Sequence, residues 1–293
     1  MGSILNPFID RKSLLKKLSM WRLSAIILFV FLAFKLFLAK DLSVFQTDYV
    51  AQIWIEGFIS DDRDLKNSIE SIYRDKRAKA LIVNINSPGG TFVGGEKFYT
   101  LLRKFSKSKP TVAVLGDQAT SAAYLIALGT DHIIAHNGTL TGSVGVILQS
   151  LEVTELAKKI GIKPIILKSS PLKGTPHPAE KLTSGGKEYL KHIIDSSQEI
   201  FLNIVKERRK NIKQEHLLDI EQGKIYTGHM AKNNNLIDEV GGYDNAINWL
   251  KGKNVMTDIV FDIDIYNNKS GINNLIKGLN FMNNFNYKLL SVF

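Results

Sequence analysis

Residues 81–128 read LIVNINSPGGTFVGGEKFYTLLRKFSKSKPTVAVLGDQATSAAYLIAL. Two short apolar runs, Leu81 to Ile85 and Thr111 to Leu115, have the length and continuous apolarity of buried strands. Between them Phe98, Leu101, Leu102 and Phe105 recur at helical spacing, which predicts a helix over Glu96 to Phe105. The loop Ser87-Pro88-Gly89-Gly90 separates the first strand from that helix. Ser121 to Leu128 suits a buried helix, although a run so short has no decisive period. Strand, helix, strand, helix in this order is the pattern of a βαβ crossover and a parallel sheet.

The pattern continues on both sides. Val50 to Ile55 predicts a strand ending at Gly57, and Leu65, Ile69 and Ile72 mark a helix over Asp64 to Lys79. Ile133 to Ala135 and Ile162 to Leu167 are further strand candidates. Tyr189 to Arg209 predicts a long amphipathic helix with an apolar stripe of Leu190, Ile193, Ile194, Phe201, Ile204 and Val205. Short helices are predicted over Thr227 to Asn235 and Asn245 to Leu250, around a turn at Gly241-Gly242. From residue 267 the chain is rich in Asn, with a weak helical stripe at Ile272, Leu275, Ile276 and Leu279.

At the N-terminus, Leu23 to Ala39 reads LSAIILFVFLAFKLFLA, 17 residues broken only by Lys35. That length just spans a hydrocarbon core of about 30 Å, and Lys35 lies where its stem reaches the interface. A cleaved signal and a buried core helix are the competing readings. The basic region ahead of the span is long for a signal, and Phe37-Leu38-Ala39 is a poor cleavage site. An uncleaved anchor is therefore expected, with residues 1–22 in the cytoplasm and the body of the chain across the membrane.

Composition narrows the chemistry. The 293 residues are 44% apolar and 23% charged, unlike a disordered chain or a polytopic membrane protein. The absence of cysteine excludes a disulfide scaffold, a thiol nucleophile and every Cys-based metal site. Of the formal charge of +10, half comes from residues 1–39, where six basic residues face Asp10 alone. The remainder, with 32 basic and 27 acidic residues, is only mildly basic, and no nucleic-acid recognition motif accompanies it. His132 and His136 are four apart but flank a strand-like pair, so structural histidines are expected rather than a metal site. Gly90 to Gly95 lacks the Lys-Ser/Thr of a phosphate loop, since Glu96 follows. There is no HExxH, no GxGxxG after a strand and no GxSxG elbow.

Three segments remain for chemistry. Asn86 to Gly90 is either an oxyanion-type backbone site or a plain strand-to-helix turn. Ser121 opens a helix, where a serine is commonly a cap but can also be a nucleophile favoured by the helix N-terminus. Lys168 and Lys173 lie in a polar loop. A lysine serves as a base only when neutral, which requires burial to lower the reference pKa of ~10.4 by roughly 3 units.

Taken in order, these pieces resemble the signal peptide peptidase A family of membrane-anchored bacterial serine peptidases. The resemblance runs from about Ile53 to Leu250. It is carried by Asn86-Ser-Pro-Gly-Gly90, Thr120-Ser121 with Tyr124, Gly138-Thr-Leu-Thr-Gly-Ser143-Val-Gly-Val146 and Leu167-Lys-Ser-Ser-Pro-Leu-Lys173. Two later pieces are Gly223-Lys-Ile-Tyr-Thr-Gly-His-Met-Ala231 and Leu236-Ile-Asp-Glu-Val-Gly-Gly-Tyr-Asp-Asn-Ala246. The length matches the short, single-repeat form. The resemblance implies Ser121 as nucleophile, Lys173 as general base, Ser143 orienting the lysine, and the backbone N–H groups of Gly90 and Ala122 as the oxyanion hole. It implies no cofactor and no metal.

The fold implied is α/β, a crotonase- or caseinolytic-protease-like spiral of βαβ units behind an N-terminal transmembrane anchor. The implied divisions are a basic tail (1–22), the anchor (23–39), a peptidase domain (48–250) and an Asn-rich extension (251–293). The implied location is the bacterial cytoplasmic membrane, single-pass, with the catalytic domain on the periplasmic side. The implied partners are remnant signal peptides, the membrane and further copies in a homo-oligomer; no nucleic acid is implied.

Two departures stand out. Ala122-Ala123 replaces the family's usual Gly-Gly, which is tolerable where φ is negative. After Lys173 the chain runs Gly174-Thr175-Pro176-His177-Pro178 instead of continuing with Asp and then Ser-Pro. A catalytically silent peptide-binding scaffold and an acyl-CoA-handling crotonase relative are the alternative functions.

Overall fold

The structure is a computed structural model that describes residues 17, 19–34, 47–257 and 259–263. The chain divides into two compact units, one holding the N-terminal segment and one beginning at Tyr49. In the first, residues 19–34 form a helix, α1. Its 16 residues rise about 24 Å. No helix among the described residues is long and apolar enough to cross a membrane. Residues 35–39 of the expected anchor lie outside the described residues.

The second unit is a mixed α/β sheet fold. Its first strands are β1 (Tyr49–Ile59), β2 (Ala78–Gly90) and β3 (Thr111–Thr120), linked through the helices α2 (Arg63–Arg74) and α3 (Phe92–Ser106). After β3 come α4 (Ala122–Ala127), β4 (His132–Ala135), β5 (Leu140–Gly142), α5 (Thr154–Lys159), α6 (Ser184–Arg208) and α7 (Gln214–Glu221). The chain then gives β6 (Ile225–Thr227), α8 (Gly228–Asn233), β7 (Glu239–Val240), α9 (Tyr243–Gly252) and β8 (Val260–Asp262). The sheet order is β6-β5-β3-β2-β1-β8, with β4 branching between β3 and β7. The β5–β6 pair is antiparallel; the other pairs are parallel.

The apolar strands are buried on both faces, as helix-covered parallel sheets require. Ala51, Ile53, Leu81, Val83, Ala113 and Leu115 share one core with residues of α2, α3, α4 and α6. The alternate residues Val50, Ala80, Ile82, Val112 and Val114 pack with Ala246 and Leu250 of α9 on the other face. This is the period-two division of a pleated strand.

Several boundaries differ from the sequence expectation for identifiable reasons. β1 continues past Gly57, which takes φ +67° where the β1–β2 register shifts. β2 absorbs the expected Ser87–Gly90 loop: Phe58 pairs with Gly89 and Ile59 with Gly90. Ser87 Oγ secures that extension by donating to Gly57 O at 2.5 Å and accepting from Gly89 N at 3.0 Å. α2 stops at Arg74 rather than Lys79, because the Lys109 ammonium donates to Ile72 O, Tyr73 O and Asp75 O. A cation there satisfies the orphan carbonyls of a helix end.

The largest difference is Ile162–Leu167, which forms no strand. Ile165 and Leu167 are 84% and 93% exposed, on a segment that is mostly irregular from residue 143 to residue 183 apart from α5. An apolar run reads as a strand only if a neighbour pairs with it, and no described segment does. Past Leu250, β8 pairs with β1 and closes that edge over Val50–Gln52. The Asn-rich stripe from Ile272 to Leu279 lies outside the described residues.

Candidate active site

The site candidates collect where β2, β3 and β5 end. Thr120, the last residue of β3, pairs with Gly142 of β5, and Ser121 N donates to Gly142 O at 2.9 Å. Ser121 and Ser143 are therefore adjacent, each one residue past a paired strand end. Both have left-handed backbones, Ser121 at φ 55° and Ser143 at φ 53°. A non-glycine residue held there is uncommon and strained by about 1–3 kcal/mol. Ser121 has ψ −123° and precedes α4, yet its side chain makes no capping hydrogen bond. Ser121 thus occupies the N-cap position without capping α4 through its side chain.

The glycine turn closes on the same point. Thr120 Oγ1 donates to Pro88 O at 3.0 Å, stitching the end of β3 to the end of β2. Gly89 has φ +111°, and a Cβ there would lie 3.0 Å from both Ser121 Cβ and Thr120 O and 3.3 Å from Ala122 N. The space above Gly89 is thus a cradle bordered by the serine and by the first amide of α4. First-turn amides of a helix have no intrahelical acceptor. Gly90, next in the chain, faces β1, where a Cβ would run into Ile59 O at 1.9 Å. Of the two glycines, Gly89 touches Ser121.

Ala122 and Ala123 lie in α4 and are not among the positive-φ residues. The extra methyl groups therefore carry no backbone strain. Room for the Ala122 methyl comes from α3, since a Cβ on Gly95 would sit 3.0 Å from it. Gly95 thus serves close helix approach, while Gly94 lies against the Ser60 backbone, where a Cβ would come within 2.9 Å.

On the far side, Ser143 N donates to Lys224 O at 2.9 Å. Gln198 of α6 donates through Nε2 to Val144 O at 3.3 Å and Glu221 O at 3.4 Å. Tyr226 packs its ring over Gly142, and burial pushes its phenol up. The Tyr226 hydroxyl and Gln198 Oε1 are buried without a partner among the described residues.

Lys173 stands apart. It is exposed in a turn whose backbone bonds are Lys173 N to Ser170 O and Thr175 N to Leu172 O. Its ammonium makes no hydrogen bond or ion pair among the described residues, and it does not reach Ser121 or Ser143. Lys168, by contrast, is ion-paired with Glu180. The chain thus brings Ser121, Ser143, Ala122 and the glycine turn together and leaves both lysines outside.

His132 is structural. Its Nε2 lies 3.2 Å from Glu239 Oε2 and its ring stacks on Trp249 at 4.9 Å. No group of three potential metal ligands occurs among the described residues. Within the candidate segment Asn86 to Gly90 it is Gly89, not Gly90, that lies against Ser121; Gly95, which the sequence did not single out, lies against Ala122, and its signal is the Gly94-Gly95 pair, which marks close backbone approach.

The family model "Peptidase family S49" matches residues 103–256. A Synechocystis protein, slr0021, is 32% identical over 202 residues, covering 68% of this chain and 72% of that one. "Serine protease SPPA, chloroplastic" of Arabidopsis thaliana is 29% identical, over 64% of this chain and 28% of its own length. "Protease 4" of Haemophilus influenzae is 28% identical, over 68% of this chain and 34% of its own. With the family model matching more than half of this chain and the strained serine falling inside that match, this chain belongs to peptidase family S49, the signal peptide peptidase A family.

Proposed function

We propose that the chain is a serine endopeptidase in which Ser121 is the nucleophile and Lys173 the general base. The observation that carries this is the strained, uncapped Ser121 at the N-terminus of α4, beside the cradle over Gly89. In the reaction, the neutral Lys173 amine takes the Ser121 hydroxyl proton as Oγ attacks the peptide carbonyl carbon. The carbonyl oxygen becomes the oxyanion and is held by the N–H groups of Ala122 and Gly90, in the preorganised manner that lowers such barriers most. Collapse breaks the C–N bond, and the lysine proton passes to the leaving amine. Water then attacks the ester with the amine again as base, releasing the acid and restoring Ser121. Ser143, adjacent to Ser121, orients the amine by accepting its hydrogen bond.

General-base work requires a desolvated lysine, whereas Lys173 is exposed in the single chain. We therefore include a homo-oligomer in the proposal, in which packing against a neighbouring copy both covers the arm around Lys173 and brings its amine to Ser121 and Ser143. The exposed Ile165 and Leu167 support this, since bare aliphatic side chains so close together mark an interaction surface. Lys168 is the poorer base because Glu180 pairs with it.

The substrates proposed are remnant signal peptides or other extended apolar peptides, which the parallel strand ends can bind through main-chain hydrogen bonds. The sheet is assigned to the crotonase and caseinolytic-protease type of spiral, on the support of its consecutive βαβ units and a site at the strand C-termini. The apolar run 23–39 tethers residues 48–250 on the periplasmic face. Resistance of the full chain to alkaline extraction from membranes, lost on deleting 23–39, tests the tether.

The central test is a fluorophosphonate serine probe on the assembled protein across a pH series, with Ser121→Ala and Lys173→Ala alongside. Labelling is expected in wild type, absent in both variants, and rising with pH as the lysine loses its proton. The exposure of Lys173 favours one other reading, a silent peptide-binding scaffold. Folded, assembled wild type that stays unlabelled would establish that reading instead.

A further inference from the structure

We propose that Arg208 and Arg209, at the C-terminal end of α6, are positioning residues that set the nucleophile helix α4 and through it Ser121. The proposal rests on the reading of Ser121 as nucleophile.

α4 has only six residues, far fewer than the 12–15 or so that make an isolated helix even marginal. It nevertheless holds Ser121 at a φ that a serine avoids. Every side chain of α4 is buried, and Tyr124 is the only polar one. The helix therefore offers its surroundings two kinds of polar handle, the Tyr124 hydroxyl and the carbonyls at its C-terminal end. The two arginines serve both.

Arg208 donates from Nε to Leu128 O and from Nη2 to Thr130 O, each at 2.9 Å. Leu128 is the C-cap of α4, so the guanidinium sits at the negative end of the helix dipole. Arg103 of α3 adds a longer contact to Gly129 O at 3.5 Å. The two bonds of Arg208 use the planar fork of a guanidinium; a lysine ammonium is a single point charge without that fork.

Arg209 works on the other handle. Its Nε donates to Asn235 O at 2.7 Å and its Nη1 to Asp238 Oδ1 at 2.8 Å. These bonds fix the turn that contains Leu236, and Leu236 O accepts from the Tyr124 hydroxyl at 2.7 Å. Asn235 holds φ 59° in that turn, a conformation that needs such support. Burial pushes the Tyr124 phenol well above its ordinary range, with the nearby Arg209 charge opposing the shift. The phenol thus remains a donor at any working pH.

Neither arginine is hydrogen-bonded to Ser121 or to its neighbours in the cradle. Their effect is on where the Ser121 hydroxyl and the Ala122 amide sit. A misplacement of the order of 1 Å costs about 100-fold in rate. The same helix also holds Val144 O through Gln198, so α6 fixes the Ser143 turn and the Ser121 helix against one rod.

The test uses the full-length assembled protein. Arg208→Ala, Arg208→Lys, Arg209→Ala and Arg209→Lys are compared with wild type for the second-order rate of fluorophosphonate labelling, for kcat and KM on an apolar peptide, and for Tm. Ile72→Val, which opens a small cavity on the buried face of α2, provides a control for loss of stability as such.

The alanine variants are expected to label roughly 10- to 100-fold more slowly, with kcat reduced alike and KM unchanged. The lysine variants are expected to recover part of the loss, and Ile72→Val to label at the wild-type rate. Wild-type labelling rates in the arginine variants overturn the proposal, and so does an equal loss in Ile72→Val, which would make the effect one of global stability. If the alanine variants do not fold, the lysine variants decide by the same criteria. A wild type that is itself unlabelled, or an Ser121→Ala variant that still labels, overturns the nucleophile reading and the proposal with it. A labelled wild type with unaffected arginine variants overturns the clamp alone.

Discussion

Gly89→Ala separates the packing of the glycine turn from its chemistry. The residue has φ +111°, so a side chain is strained whatever space surrounds it. A positive-φ penalty of about 1–2 kcal/mol is expected for a non-glycine residue. The new methyl would also lie 3.0 Å from Ser121 Cβ and from Thr120 O, and overpacking of that kind costs about 1–3 kcal/mol. The sum is about 2–5 kcal/mol, or a fall in Tm of about 5–15 °C for a domain of this size. The methyl would further stand 3.3 Å from Ala122 N, in the cradle proposed for the oxyanion. Losing one such donor costs about 100- to 1,000-fold in kcat.

The comparison is Gly138→Ala, where nothing lies within 4 Å of the added Cβ. That change should be neutral or stabilise by about 0.5 kcal/mol. Thermal unfolding gives the first quantity and the fluorophosphonate labelling rate the second. Gly89→Ala with an unchanged Tm refutes the packing argument. Gly89→Ala that labels at the wild-type rate refutes the cradle, since the methyl would then occupy no space the reaction uses.

Three further outcomes follow from the same geometry. Ser121→Gly should melt about 2–4 °C above Ser121→Ala while neither labels, because only glycine relieves φ 55°, a gain of about 1 kcal/mol; equal melting temperatures would show that Ser121 is not strained. Asp75 is held down at about 2, chiefly by the Arg77 side chain and also by Arg77 N and the Tyr49 hydroxyl. Its folded value lies below the ordinary carboxylate value, so its contribution is present above about pH 4 and lost as pH falls towards 2. Asp75→Asn should cost about 1 kcal/mol at pH 7 after allowance for solvent screening, and denaturant titrations should show the gap to wild type closing over that acid window. Ile165→Asp with Leu167→Asp should leave a folded chain, since both side chains are exposed, but abolish assembly in sedimentation velocity and labelling with it; an intact oligomer would remove the arm from the interface.

Much of this molecule is written locally. The short continuous apolar runs of β1, β2 and β3 and the i, i+4, i+7 stripe Leu65, Ile69, Ile72 specify buried strands and a helix through run length and periodicity, which need no knowledge of distant residues. The absence of cysteine and the order of the Ser87–Gly90, Ser121 and Ser143 segments likewise narrow the chemistry without reference to the fold. What the sequence left open depends on partners far along the chain. The placement of Ser121 depends on Gly142 O, 21 residues away, which accepts from its backbone N–H, and on the Gly89 turn against its Cβ. The extension of β2 through Gly90 required Gly57 of β1. Ile162–Leu167 has the composition of a strand, but composition cannot supply a neighbour, and the fold leaves it bare. Nothing in the sequence singles out the arginines at the end of α6; only the tertiary fold puts their guanidinium groups on carbonyls 78 to 80 residues earlier and 26 residues later. Periodicity assigns a residue to a face of its own element, whereas the strain, burial and hydrogen bonding that make a site reactive arise where elements meet.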